Sequence, residues 1–486
     1  MSNKIKSITN PKLKLEILTP ADVKKIHEAT LWIIEKVGVK FPSKRALDIW
    51  AENGAEVDRG RKIVRVRGDV IESALKKCPP IYPLAARDPN QDLSLDGNHV
   101  FVGTDGCGVE VIDIQTGQRR LSKLQDVADI ARIADATEEV AFHWVPVSAQ
   151  DKPPETRGLH EVKTIWENST KHAQTESIYS EHEAKAALEM AAMIAGSKEA
   201  LRKRPVLSLM QCTASPLGHD GGSLDAALLA AEAGIPTGFM TMAACLTTGP
   251  ATLAGNLAVG NAEVIAATAL LQLAHPGAPV FYAAAQTASD PRSGAYTGGG
   301  PEDFLFGAAT NVLADFYNIP LSMGSFATGA KEPNWQAGVE NSLSTFMASI
   351  AMSDMLLGVG FLHGSRIWSF AEMMMDCEIF SIIHKVMQGI VVDDETLALD
   401  TIAAVGPSGH FLAQKHTRQH MRDIFLCEFM DRRPYGEWES KKDDARDWAL
   451  AKARKILAEH KPEPLDPKLS REFDKIIESL ENKTAA

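Results

Sequence analysis

A strand-then-helix rhythm, repeated eight times from about Asn98, limits the folds open to this chain more than any other feature. "HVFVGTDG" leads into "KLQDVADIARIADA", "VAFHWVPVSA" into "GLHEVKTIWENS", "HAQTESIYS" into "EHEAKAALEMAAMIAG", and "RPVLSLMQCTAS" into "GGSLDAALLAAEAG". The second half repeats the pattern with "IPTGFMTMAA", "APVFYAAAQTAS", "IPLSMGSFAT" and "DMLLGVGFLHG", each followed by a long helical segment. Strands alternating with helices at this spacing must be parallel, because only a crossover helix returns the chain to the same end of a sheet. Eight such units match a closed (β/α)8, or TIM, barrel; an open doubly wound sheet is the structural alternative.

This barrel is expected over residues 98–390. Residues 1–97 read as an extension of helices and short strands packed on it. "TPADVKKIHEATLWIIEKVG" predicts one helix from a Thr N-cap and a Pro in the first turn to a closing Gly38, and "SKRALDIWAENG" predicts a second. Residues 391–486 read as a helical tail ending in "KKDDARDWALAKARKILAEH" and "SREFDKIIESLENK". At 45% hydrophobic and 23% charged residues the chain can fill a large core. A net charge of −12 argues against a nucleic-acid partner, which requires clustered Lys and Arg. Six scattered cysteines without a Cys-x-x-Cys pair, no secretory h-region and no long uninterrupted apolar run predict a cytoplasmic protein that neither spans nor binds a membrane.

Barrel chemistry gathers where strands end, and three readings of those ends compete. Cys107, Cys212 and Cys245, with His143 or His219, could hold zinc, although no two share a local spacing motif. Glu176 or Asp105 could serve acid–base catalysis, but no strand end in the later half carries a Schiff-base Lys. The third reading follows from what is abundant: the rings of Trp144, Tyr282, Phe326, Phe361 and Trp368, and the amides of Gln174, Gln211 and Gln286. Ring quadrupoles suit a quaternary ammonium, which cannot donate strong hydrogen bonds.

Several long segments also carry a resemblance. "WVPVSAQD", "CTASPLGHDGG", "GPATLAGNLAVGNAEV", "AKEPNWQAGVENSLS" and "MQGIVVDDETLALDTIAAVGPSGHFLAQKHTRQH" resemble, in order along the chain, the trimethylamine methyltransferase family. The resemblance implies a barrel enzyme that moves a methyl group from an amine to the cobalt of a separate corrinoid-binding protein. Cobalamin would arrive with that partner, and no cofactor or metal would be resident in this chain. Relatives acting on trimethylamine carry pyrrolysine in a segment corresponding to "GSFATGAKEP"; here the position falls on Phe326 or Ala327.

A non-pyrrolysine relative is expected to demethylate a quaternary amine, glycine betaine by preference, without a general acid or base. The candidate substrate-binding residues are Phe326, Ala327, Phe361, Trp144, Tyr282, Gln286, Gln211, Gln174 and Glu176. His363 and Arg366 would hold a betaine carboxylate. A homo-oligomer is expected. The rivals are a zinc-dependent corrinoid methyltransferase acting on a thiol or alcohol, and a non-catalytic betaine-binding protein.

Overall fold

The computed structural model describes residues 8–9, 17–106, 108–296 and 298–484. Eight parallel strands form the centre: β1 (His99–Thr104), β2 (Val140–Trp144), β3 (His172–Thr175), β4 (Leu207–Cys212), β5 (Thr237–Thr241), β6 (Val280–Ala284), β7 (Leu321–Gly324) and β8 (Met355–Val359). Each pairs with the next, and β8 pairs back onto β1 through Met355–Phe101, Leu356–Val102 and Val359–Thr104, so the sheet is closed. The open doubly wound alternative is thereby excluded.

One long helix follows each strand: α1 (Leu124–Ala136), α2 (Arg157–Asn168), α3 (Glu181–Ala195), α4 (Gly221–Ala233), α5 (Leu253–Ala274), α6 (Pro301–Tyr317), α7 (Trp335–Ile350) and α8 (Phe370–Met387). Their starts are set by short polar side chains that satisfy otherwise orphaned amides. Asp220 accepts from the Ser223 amide, Asn334 from Gln336 and Ala337, and Ser369 from Glu372. Helix α5 is long and apolar enough to cross a membrane by length and composition, yet most of it is buried in the barrel shell. Its lack of a polar face follows from that burial.

Strand alternation divides the core in two. Outward residues such as Val102, Ala173, Leu209, Phe239, Tyr282 and Leu356 join the shell between strands and helices. Inward residues Phe101, Phe142, Trp144, Met210, Met240, Phe281, Met355 and Leu357 fill the barrel. Its N-terminal end is stoppered by a hairpin of Tyr82–Leu84 with Leu93–Leu95, whose apolar side chains join the inward set. The Tyr82 hydroxyl donates to the Val280 carbonyl at 2.7 Å. With that end closed, the strand C-termini form the accessible mouth.

Outside the barrel, Pro20–Trp32 is an α-helix that opens on a Thr19–Asp22 capping box, then widens into a π turn over Ile33–Val37. The expected single helix to Gly38 is corrected in this last stretch. The helix Ala445–Glu459 packs on α8 and α1, and Pro467–Thr484 on α2 and α3, where Phe473 meets Trp166 at 5.9 Å. Between them and α8 the chain leaves Ile390, Leu412 and Leu426 more than four-fifths exposed.

The loops at the mouth are tied from behind by Glu263 of α5. Its carboxylate accepts from the hydroxyls of Thr213 (2.6 Å), Ser215 (2.8 Å) and Thr241 (2.8 Å) and from the Leu217 amide (2.8 Å). Replacing it would orphan four donors, each in or beside the shell. Glu263→Ala is therefore expected to lower unfolding free energy by about 3–5 kcal/mol, read from the denaturant midpoint.

Candidate active site

At the mouth lies a cavity of ≈ 70 Å³ lined by Asp105, Trp144, Met240, Met242, Ala285, Gln286, Tyr296, Gly298, Asp303, Gly324, Ser325, Ala327, Gly364 and Ser365. A single water needs about 10–15 Å³ by this kind of measure, so the space suits a small organic molecule. Tyr296 is exposed and Gly364 and Ser365 are partly exposed, so the cavity reaches solvent between the loops that follow β6 and β8. Those loops are braced on both sides. Ala244–Cys245 pairs with Thr287–Ala288, and Ile367–Ser369 joins Glu110–Ile112 from the loop after β1.

Trp144 ends β2 with its ring facing the cavity and its indole nitrogen, Nε1, buried without a partner. Gly106 makes room for it: a Cβ there would sit 2.5 Å from the indole ring. Gln286 is fixed against α5. Its Nε2 donates to the Asn256 carbonyl (2.9 Å) and Oδ1 (2.6 Å), leaving Oε1 buried and unpaired.

The charged groups of the lining are acidic. Asp105 follows β1, accepts from the Gly106 amide at 2.9 Å and from the Ser365 hydroxyl, and is buried. Desolvation pushes its carboxyl up to about 7, and the charge of Glu176 adds in the same direction. Asp303 accepts from Thr287 Oγ1 and the Gly299 amide, both at 2.6 Å, and burial pushes it up to about 6. Near Asp105, just past the end of β3, Glu176 accepts from the Cys212 thiol at 3.5 Å.

The tip of β7 sorts two neighbouring residues. Phe326 adopts a left-handed φ of 46°, donates its amide to Thr345 Oγ1 of α7 and is 1% exposed in the outer shell. Ala327 lines the cavity. Gly358 of β8 permits this turn, since a Cβ there would lie 2.1 Å from the Ser325 carbonyl oxygen. Of the residues expected from sequence, Asp105, Trp144, Gln286 and Ala327 therefore meet in the cavity.

The others are placed elsewhere, and the expected aromatic wall is corrected accordingly. Tyr282 points outward and donates to Asn261 of α5 at 3.2 Å. Gln211 also faces the shell, bonded to the Ile178 carbonyl. Phe361 packs edge-on against Trp368 at 5.1 Å beside the mouth, both buried. Gln174 lies inside the barrel beneath the cavity, accepting from Ser208. His363 is half-buried outside the lining, and Arg366 points to solvent with Glu110 at 3.7 Å. The expected carboxylate clamp is thus not assembled.

Among the described residues no three His, Cys, Asp or Glu side chains are grouped to hold a metal. His219 instead stacks on Phe41 at 5.0 Å and His143 bonds Ser169 at 2.6 Å; Cys107 lies outside the described residues. Residues missed from sequence are Met240, Met242, Tyr296, Asp303 and Ser365. The alternation of β5 points to the two methionines, spaced two apart with Gly238 on the inward face. Asp303 reads as an ordinary first-turn acid of α6 and carries no signal of its own.

The family model for trimethylamine methyltransferase (MTTB) matches residues 1–484. The chain belongs to the MttB family. Trimethylamine methyltransferase MttB of Desulfitobacterium hafniense is 34% identical over 458 residues, 94% of this chain and 92% of that one. Glycine betaine methyltransferase of the same species is 33% identical over 467 residues, 96% of this chain and 97% of that one. In fold, this MttB-family member is similar to the monomethylamine methyltransferase MtmB of Methanosarcina barkeri, with a TM-score of 0.51 at 13% identity, covering 90% and 93% of the two chains. A hydroxylamine complex of MtmB gives 0.55 at 13% identity, covering 91% and 88%. As an MttB-family chain the protein is a methyltransferase.

Asp105 gives the site a pH signature. Between pH 4 and 7 the folded protein holds a proton that an unfolded carboxylate has released, so stability falls as pH rises through this window. Asp105→Asn removes that proton uptake. Across the window the wild type is expected to lose up to ~4 kcal/mol relative to the variant, measured as urea midpoints at each pH.

Proposed function

We propose that the enzyme demethylates a quaternary amine, the methyl passing to the cobalt of a separate corrinoid-binding protein. The observation that carries this reading is the tip of β7, where Ala327 leaves the cavity open and Phe326 is turned away. The relatives' names, which include trimethylamine and glycine betaine methyltransferases, support an amine substrate.

The chemistry asks little of the side chains beyond placement. A corrinoid, when presented, supplies cobalt(I) as the nucleophile that accepts the methyl group. The described residues fit such an approach: the partly exposed part of the lining includes the small Gly324, Ala327, Gly364 and Ser365 beside Met242, with Tyr296 exposed at the rim. As the methyl carbon leaves nitrogen, the bonding pair stays with nitrogen and the amine departs neutral, so no proton is moved. Trp144 and Asp105 hold the cation before transfer, by ring quadrupole and by charge. Neither holds the neutral product as well, which favours release. Positioning of this kind can contribute roughly 7–11 kcal/mol of barrier lowering.

Incubation of the protein with cob(I)alamin and a panel of quaternary amines is expected to form methylcobalamin, followed by absorbance; no methylation with any member would overturn the reading. Ala327→Leu, which fills the cavity, is expected to cut the rate by about 100-fold or more with an unchanged melting temperature. Phe326→Ala is expected instead to destabilise the shell by about 3–5 kcal/mol, seen in thermal melts.

A further inference from the structure

Two buried atoms of the cavity lining lack partners, and they are of opposite kinds. Trp144 Nε1 can only donate, and Gln286 Oε1 can only accept. The Gln286 orientation is set by its neighbour, because the Asn256 carbonyl accepts from Nε2 and so leaves the oxygen free. Both side chains are at least 98% buried and both line the cavity. A hydroxyl group both accepts and donates, so it matches one atom of each kind. A carboxylate accepts only, and against Gln286 Oε1 it would bring two oxygens together.

The charges agree. Asp105 and Asp303 line the cavity, Glu176 lies close enough to act on Asp105, and no Lys or Arg is among the described lining residues. Basic side chains in the adjoining loops are engaged elsewhere: Arg366 faces Glu110, Arg292 pairs with Asp290, and Lys331 donates to the Gly329 carbonyl. An anionic group inside so small a space has two carboxylates against it and no cation beside it.

We propose that the cavity takes a choline-like quaternary amino alcohol, with Asp105 as counter-ion to the ammonium and Trp144 and Gln286 reading the hydroxyl, and that it discriminates against betaines. This deepens the demethylase reading and rests on it. The alkylammonium carries the charge the carboxylates need, and the hydroxyl carries the polarity the two orphaned atoms need. A betaine meets only the first requirement.

Titration calorimetry with choline, tetramethylammonium and glycine betaine on the purified protein tests the proposal without any methyl acceptor, and the cob(I)alamin assay is run on the same panel. Choline is expected to bind about 100-fold more tightly than glycine betaine, the scale of one poorly screened like-charge contact, and about 10-fold more tightly than tetramethylammonium. Asp105→Asn is expected to erase most of the first ratio, and Gln286→Leu the second, each checked by a thermal melt. The wild-type ratios decide the matter even where a variant fails to fold. Glycine betaine binding as tightly as choline, or more so, would overturn this proposal and leave the demethylase reading standing. Failure of every quaternary amine to bind or be demethylated would overturn both.

Discussion

Closure of the sheet is the constraint from which the site follows. Once β8 registers against β1, every strand must point the same way around one axis, and all eight C-termini are delivered to a single rim. The Tyr82–Leu95 hairpin then fills the opposite end, which leaves the cavity at that rim. Within the ring, the two-residue period decides which side chains face the axis and which face the helices. Trp144 and Tyr282 are both aromatic and both lie on barrel strands, yet one lines the cavity and the other braces α5.

The cavity is costly in a way that a cation relieves. Burial of Asp105, with the charge of Glu176 adding to it, disfavours the ionised carboxylate. Asp303 is stabilised by two short hydrogen bonds but is still held above its ordinary range. An ammonium ion entering this space gains the field of carboxylates that it helps to ionise, so binding and proton release are linked. The mouth therefore combines an apolar wall, Trp144 with Met240 and Met242, with carboxyl groups that the proposed ammonium would help to ionise.

Sequence pattern made the eight-unit barrel legible because each strand and helix announces itself locally, through apolar runs, caps and glycines. The mouth was only partly legible. Trp144 was reachable because it ends an inward-facing run, whereas Gln286 and Ala327 share the outward parity of β6 and β7 and line the cavity only because the chain turns at the strand tips. Phe326, Phe361, Tyr282 and Gln211 were selected by chemistry and position along the strand, but the face each presents depends on register and on the turn at the tip. The direction of Phe326 hinges on one left-handed residue and on the Gly358 gap beside it, neither visible in a hydropathy pattern. Arg366 looked available because its partner, Glu110, is more than 250 residues away in sequence and arrives through a small side sheet.

The opposed directions of Phe326 and Ala327 bear on how such a cavity can change in evolution. A methyl group and a phenyl ring occupy consecutive codons and face opposite sides of the strand tip. Loss or gain of one codon just upstream would exchange them, filling or emptying the mouth in a single event while the barrel's hydrogen-bonded ring stays intact.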